Sequence, residues 1–151
     1  MTSTLYQIAA MLGVTVIFAD LTHLGRDGDY NAKTNTIRLQ EGMSRRLLRS
    51  VFAHELCHAV WGDVPSRFGP VNAKQERRAD EWAALRLIDL DDYREVEYLR
   101  EGNVALMAQD LEVIDDIVRA YQRILQRFGN TIYVAPRMGV GQWIDKVEAL
   151  V

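Results

Sequence analysis

The sequence predicts an α+β domain, mostly helical, with a small N-terminal antiparallel sheet beside a central helix. Three observations lead there. The first third holds a β-branched run, Val14-Thr15-Val16-Ile17-Phe18, and a hairpin pattern over residues 29–39. From Ser44 onward, apolar residues recur at helical spacing. The 151 residues, 48% of them hydrophobic, fit one domain with a real core.

Each element has its own signal. Thr4–Leu12 reads as a helix ending near Gly13, and Val14–Phe18 as a strand. Residues 21–28 form a Gly- and Asp-rich loop. Asp29–Ala32 and Thr36–Leu39, joined by Lys33-Thr34-Asn35, read as a hairpin. Ser44 is the expected N-cap of a helix that runs without Gly or Pro to Gly62. Asp63–Val71, with Pro65, Gly69 and Pro70, is the expected loop before a second helix over Asn72–Leu85, capped at Asn72. Asp91–Arg100, Val104–Leu111 and Glu112–Arg127 complete the helices. Val113, Ile117, Val118, Tyr121 and Ile124 give the last an apolar face for the core. Residues 1–128 are read as the domain, with its working part at about 12–90 and a helical part at 91–128. Residues 129–151 are an extension of unknown role: a strand at Thr131–Val134, a turn at Pro136–Gly141 and a short helix at Trp143–Val151.

Composition narrows the function. The net charge is −3, and no basic block exceeds a pair of arginines, which argues against direct nucleic-acid binding. Arg45, Arg46 and Arg49 read as a solvated helix edge. One cysteine, Cys57, permits no internal disulfide and suits a reducing cytosol. It is read as a small buried residue. No apolar run has membrane-spanning length and no secretory leader opens the chain, so a soluble, cytoplasmic protein is expected.

The chemistry lies in His54-Glu55-Leu56-Cys57-His58, an HExxH motif that uses two of the three histidines. On a helix, positions i and i+4 share a face, so both imidazoles can reach one zinc ion at about 2.0–2.1 Å. Glu55 then stands beside the metal, placed to take a proton from water. A catalytic zinc needs a third protein ligand. The extended pattern with a third downstream histidine fails, because Trp61 and Val64 stand where Gly and His are required. Glu76, on the second helix, is the expected ligand, with Asp63 the runner-up. Asp80, at i+4 from Glu76, is placed to accept the second N–H of a ligand histidine. Arg77 and Glu81 read as an ion pair on that helix's solvated face.

The segments His54-Glu-Leu-Cys-His58-Ala and Glu76-Arg-Arg-Ala79-Asp80-Glu-Trp82-Ala83-Ala84 resemble the ImmA/IrrE family of metallopeptidases. Gly28-Asp29-Tyr30-Asn31 and Thr36-Ile37-Arg38-Leu39 resemble the hairpin before that family's active-site helix. The likeness covers about residues 12–125, and Cys57 stands where Gly is common in the family. The resemblance implies a zincin-like domain with a gluzincin-type site: Zn2+ held by His54, His58 and Glu76, with Glu55 as general base. It also implies a protein substrate, a helix-turn-helix transcriptional repressor of a mobile element or phage. The alternative is a zincin-like module that binds such a regulator without cutting it.

Two further expectations concern substrate. The segment Asn35-Thr36-Ile37-Arg38-Leu39 is the candidate edge strand for binding a peptide by β-augmentation. Oxyanion donors are sought among His23 and Tyr30, with Tyr93, Tyr98 and Tyr121 as further candidates. Oligomeric state is not legible.

Overall fold

The central helix, α2 (Arg45–Trp61), is specified at both ends. The Ser44 hydroxyl accepts a hydrogen bond from the Leu47 N–H at 3.3 Å. Gly62 closes the other end in the left-handed region, φ 62°, its N–H returning to the carbonyls of His58 and Ala59. Between the caps, Phe52, Ala53 and Leu56 are fully buried. The structure, a computed structural model, describes residues 2–66 and 68–127 and the strand segments 131–133 and 143–145.

A sheet of three strands, β1 (Thr15–Ala19), β2 (Gly28–Asn31) and β3 (Thr36–Gln40), packs on this helix through β2 and β3. Their order is β1-β3-β2, with β1 parallel and β2 antiparallel to β3. The α+β expectation holds, but the sheet is mixed rather than antiparallel. β3 alternates as a half-buried strand should, with Ile37 and Leu39 inward at 0% exposure. It is also the central strand, paired along both sides. The segment Asn35–Leu39 therefore has no free edge for a peptide, and that expectation is corrected. Asn35 sits in the turn at φ 49°, donating its amide N–H groups to the Leu12 and Gly13 carbonyls at 3.1 and 3.0 Å. The free edge next to α2 belongs to β2. A Cβ at Gly28 would lie 2.7 Å from Val51 Cγ1 and 3.1 Å from the Arg38 carbonyl, so the glycine lets β2 approach the helix.

The remaining helices are α1 (Thr2–Met11), α3 (Gly69–Leu87), α4 (Leu90–Leu99), α5 (Val104–Asp110) and α6 (Asp115–Arg127). α3 begins three residues before the expected Asn72 cap, because Pro70 fits its first turn. Asn72 instead ties down the loop: it accepts from the Ser66 N–H at 2.8 Å and donates to the Ser66 carbonyl at 2.6 Å. Ala79, Ala83 and Ala84, all fully buried, let α3 pack closely on α2. α6 starts three residues later than expected, after Glu112 breaks the chain at φ 55°. Its face with Ile117, Val118 and Tyr121 packs on the domain's own core.

Two charged residues depart from their expected roles. Arg49 is buried at 2% exposure and donates to the Leu111 and Glu112 carbonyls at 3.3 and 2.6 Å, latching α2 to the α5–α6 turn. Ser50 accepts from the Ile114 N–H beside it at 3.0 Å. Glu81 pairs with Arg127 of α6 at 2.7 Å, so it ties two helices together.

In the C-terminal segment, β4 (Thr131–Tyr133) pairs antiparallel with β5 (Trp143–Asp145), where the sequence suggested a helix from Trp143. Pro136–Gly141 and residues 146–151 lie outside the described residues. Among the described residues no helix is long and apolar enough to cross a membrane.

Candidate metal centre

Two helices build the centre. α2 presents His54 and His58 one turn apart, their rings 4.8 Å between centroids and nearly perpendicular. α3 brings Glu76 across. His54 Nε2 and His58 Nε2 are 3.1 Å apart. Glu76 Oε2 lies 3.0 Å from the first, and its Oε1 3.1 Å from the second. Two zinc ligands in a tetrahedral site stand about 3.3–3.4 Å apart, so the triangle fits a small divalent cation after a shift of a few tenths of an ångström.

The outer nitrogens explain why the inner ones converge. His54 Nδ1 is 2.6 Å from Asp80 Oδ1, and His58 Nδ1 is 2.9 Å from Asp63 Oδ2. A carboxylate only accepts, so each Nδ1 carries a proton, and a ring in its neutral form turns a lone pair inward at Nε2. Two such nitrogens and a carboxylate at this range are held together by a cation or by protons among them. The charge balance says the same. Burial alone would depress His54, yet hydrogen bonds to Asp80 and Glu76 raise it to about 10. His58 is raised too, by Glu76 and Asp63, against its burial. Hydrogen bonds from His54 and His58 hold Glu76 far below the usual carboxylate range. These shifts describe one shared field, and a metal ion would answer it as a proton does.

Glu55 faces the same space from α2 at 8% exposure. Burial raises its carboxyl above the ordinary value even with two imidazoles nearby to lower it. A raised carboxylate is a better base near neutral pH. Glu55, His58 and Glu76 border an open cleft of about 430 Å³, walled by Arg26, Gly28 and Tyr30 on one side and Val64, Pro65 and Gln75 on the other.

The cleft bears on the other expectations. Asp80 does meet a histidine N–H. Asp63, the runner-up ligand, points its carboxylate at the outer nitrogen of His58 and lies behind the triangle. The sequence, through its place right after the helix-ending glycine, offers it as a ligand; the structure sets it against the outer nitrogen instead. Tyr30 borders the cleft, but its hydroxyl donates to Asn35 Oδ1 at 2.8 Å, so as an oxyanion donor it is already engaged. His23 is exposed on the turn Thr22–Leu24 and does not border the cleft. Tyr93 and Tyr121 pack on each other, 5.0 Å between centroids, and Tyr98 is exposed on α4. Arg26 and Gln75 are the polar side chains at the cleft that the sequence did not single out. Cys57 is buried on the α3 side, its thiol pushed up to about 11 by burial, as befits an inert packing residue.

The profile of the IrrE N-terminal-like domain, peptidase family M78, matches residues 9–135. The chain belongs to that family. The match spans the sheet, both site helices and α4 to α6, and reaches past Phe128 into the C-terminal segment. No curated protein and no solved structure matches the chain significantly. Membership in M78 makes this a metallopeptidase-type domain, and His54, His58 and Glu76 form a cluster compatible with its metal.

Proposed function

We propose that this M78 domain is a zinc-dependent endopeptidase that hydrolyses a bond in a protein partner. The observation that carries the reading is the convergence of both Nε2 atoms and the Glu76 carboxylate within 3.1 Å, with Glu55 beside them in an open cleft. Ligands of this kind suit zinc. Bound there, the ion supplies Lewis acidity, acidifying water and polarising a carbonyl.

The chain's own groups do the rest. β2 offers an extended peptide a free edge. The Gln40 N–H bonds to the Asp27 carbonyl, so in this antiparallel register Asp27, Asp29 and Asn31 turn their backbone groups toward β3. Gly28 and Tyr30 then aim theirs outward, over the cleft, and a substrate strand pairs with them. Glu55 takes the proton of the attacking water and passes it to the departing amine. The partner favoured by the resemblance is a helix-turn-helix transcriptional repressor of a phage or mobile element, met in the cytoplasm.

Glu55→Gln tests this. Zinc content of the purified variant should equal that of the unsubstituted protein, while cleavage of a co-expressed repressor falls by about 10²–10⁴-fold. Equal regulation of the repressor by both proteins, with no cleavage by either, would instead identify a non-cleaving binding module.

A further inference from the structure

We propose that Asp63 and Arg78 are positioning residues for His58, an arm separate from the one Asp80 provides for His54. The inference rests on the metal-centre reading above. Asp63 leaves α2 immediately after the left-handed Gly62, and its N–H bonds back to the His58 carbonyl at 2.9 Å. That fold-back sets its side chain beside the ring it serves. Oδ2 faces His58 Nδ1 at 2.9 Å, and Oδ1 accepts from Arg78 Nη2 at 2.5 Å. The carboxylate is only 9% exposed, and a buried carboxylate is stable only when paired. Each of its oxygens has one donor, so neither can leave without stranding charge.

Arg78 is itself held. Its guanidinium carbon lies 4.5 Å from the centre of the Trp61 ring, a cation–π contact at the last residue of α2. Its Nε is buried without a hydrogen bond, so the bond to Asp63 is what orients its head. The chain His58–Asp63–Arg78–Trp61 thus begins and ends on α2 and passes through α3. α3 supplies Glu76 to the inner side of the centre. It reaches the outer side twice, directly through Asp80 and indirectly through Arg78. The two arms differ in charge: among the described residues Asp80 has no cationic partner besides the imidazole, whereas Asp63 shares its charge with Arg78.

The test is a double-substitution cycle read as zinc affinity, by competition with a chromophoric chelator on the full chain. Asp63→Ala should weaken zinc by about 10–100-fold. Arg78→Ala should weaken it by a smaller factor in the unsubstituted background and not at all when Asp63 is already Ala. Arg78→Lys should recover most of the loss, since a cationic donor remains. A residue that merely braces the loop would not show this dependence on Asp63. If Asp63→Ala does not fold, Asp63→Asn carries the test. It keeps an acceptor for His58 and presents an amide N–H to Arg78, so it should match Arg78→Ala. Unchanged affinity in the Asp63 variants, or an equal Arg78→Ala effect in both backgrounds, overturns the inference alone. Absence of zinc binding by the unsubstituted protein overturns the metal-centre reading as well.

Discussion

The two imidazoles of the centre are braced by different kinds of structure. His54 is held between regular helices: its partners Glu76 and Asp80 stand one turn apart on α3. His58 also meets Glu76, but its outer nitrogen is served from where α2 stops, by a residue beyond a left-handed glycine. In the first arm the spacing of the two carboxylates follows from helical periodicity alone. The second depends on how a helix ends and on which side chain of the neighbouring helix reaches the loop. Equivalent chemistry has been assembled once by repetition and once by termination.

The largest expected effect removes what the arms share. Glu76→Ala deletes the inner carboxylate, and zinc affinity should drop by more than about 100-fold, beyond the range of outer partners. Retained zinc, measured by metal analysis after chelator dialysis, would mean that the helical arm does not supply a ligand. Next comes the helical arm's own brace. Asp80→Ala should cost about 10–100-fold in zinc affinity by chelator competition. A loss confined to Asp80→Ala, with none in Asp63→Ala, would show that only the helical arm matters.

A pH series on metal-free protein sharpens the comparison further. His54 titrates at about 6.5 in an unfolded chain and at about 10 in the fold. The folded state holds that proton more tightly, so its stabilisation is complete below about 6.5 and disappears as pH climbs through about 10. Thermal unfolding of metal-free protein should therefore show stability falling across that window. The decline should be blunted by Asp80→Ala and absent with zinc loaded. A flat profile for the metal-free protein would count against the short His54–Asp80–Glu76 contacts. The smallest effect belongs to Cys57, which lies within the motif and outside both arms. Cys57→Ala should leave zinc affinity unchanged and cost about 1 kcal/mol in denaturant unfolding. A clear affinity loss would make the thiol part of the centre.

Much of this was open to reading along the chain, and the failures share a cause. Ser44, Gly62 and the stripe through Phe52 and Leu56 mark α2 because caps and periodicity are local properties. The placing of Glu76 and Asp80 on one helix face is legible for the same reason. Arg49 was misread because nothing near it in sequence shows that the carbonyls of Leu111 and Glu112 await a donor. Glu81 was paired with its neighbour Arg77, whereas its partners come from α6. The hairpin was recognised but not its place in the sheet, since strand order depends on where β1 docks, and that makes β3 the central strand and leaves β2 at an edge.

The sequence by itself determined that two histidines share one face of a helix with a glutamate beside them, and that a second helix carries a carboxylate pair one turn apart. Helical geometry repeats every 3.6 residues whatever surrounds it. Only the tertiary structure decided that Glu76 closes the triangle, that Asp63 stands behind His58 and that β2 borders the cleft. Those outcomes depend on the angle and distance at which α2, α3 and the sheet pack, which are set by buried surfaces from all three at once.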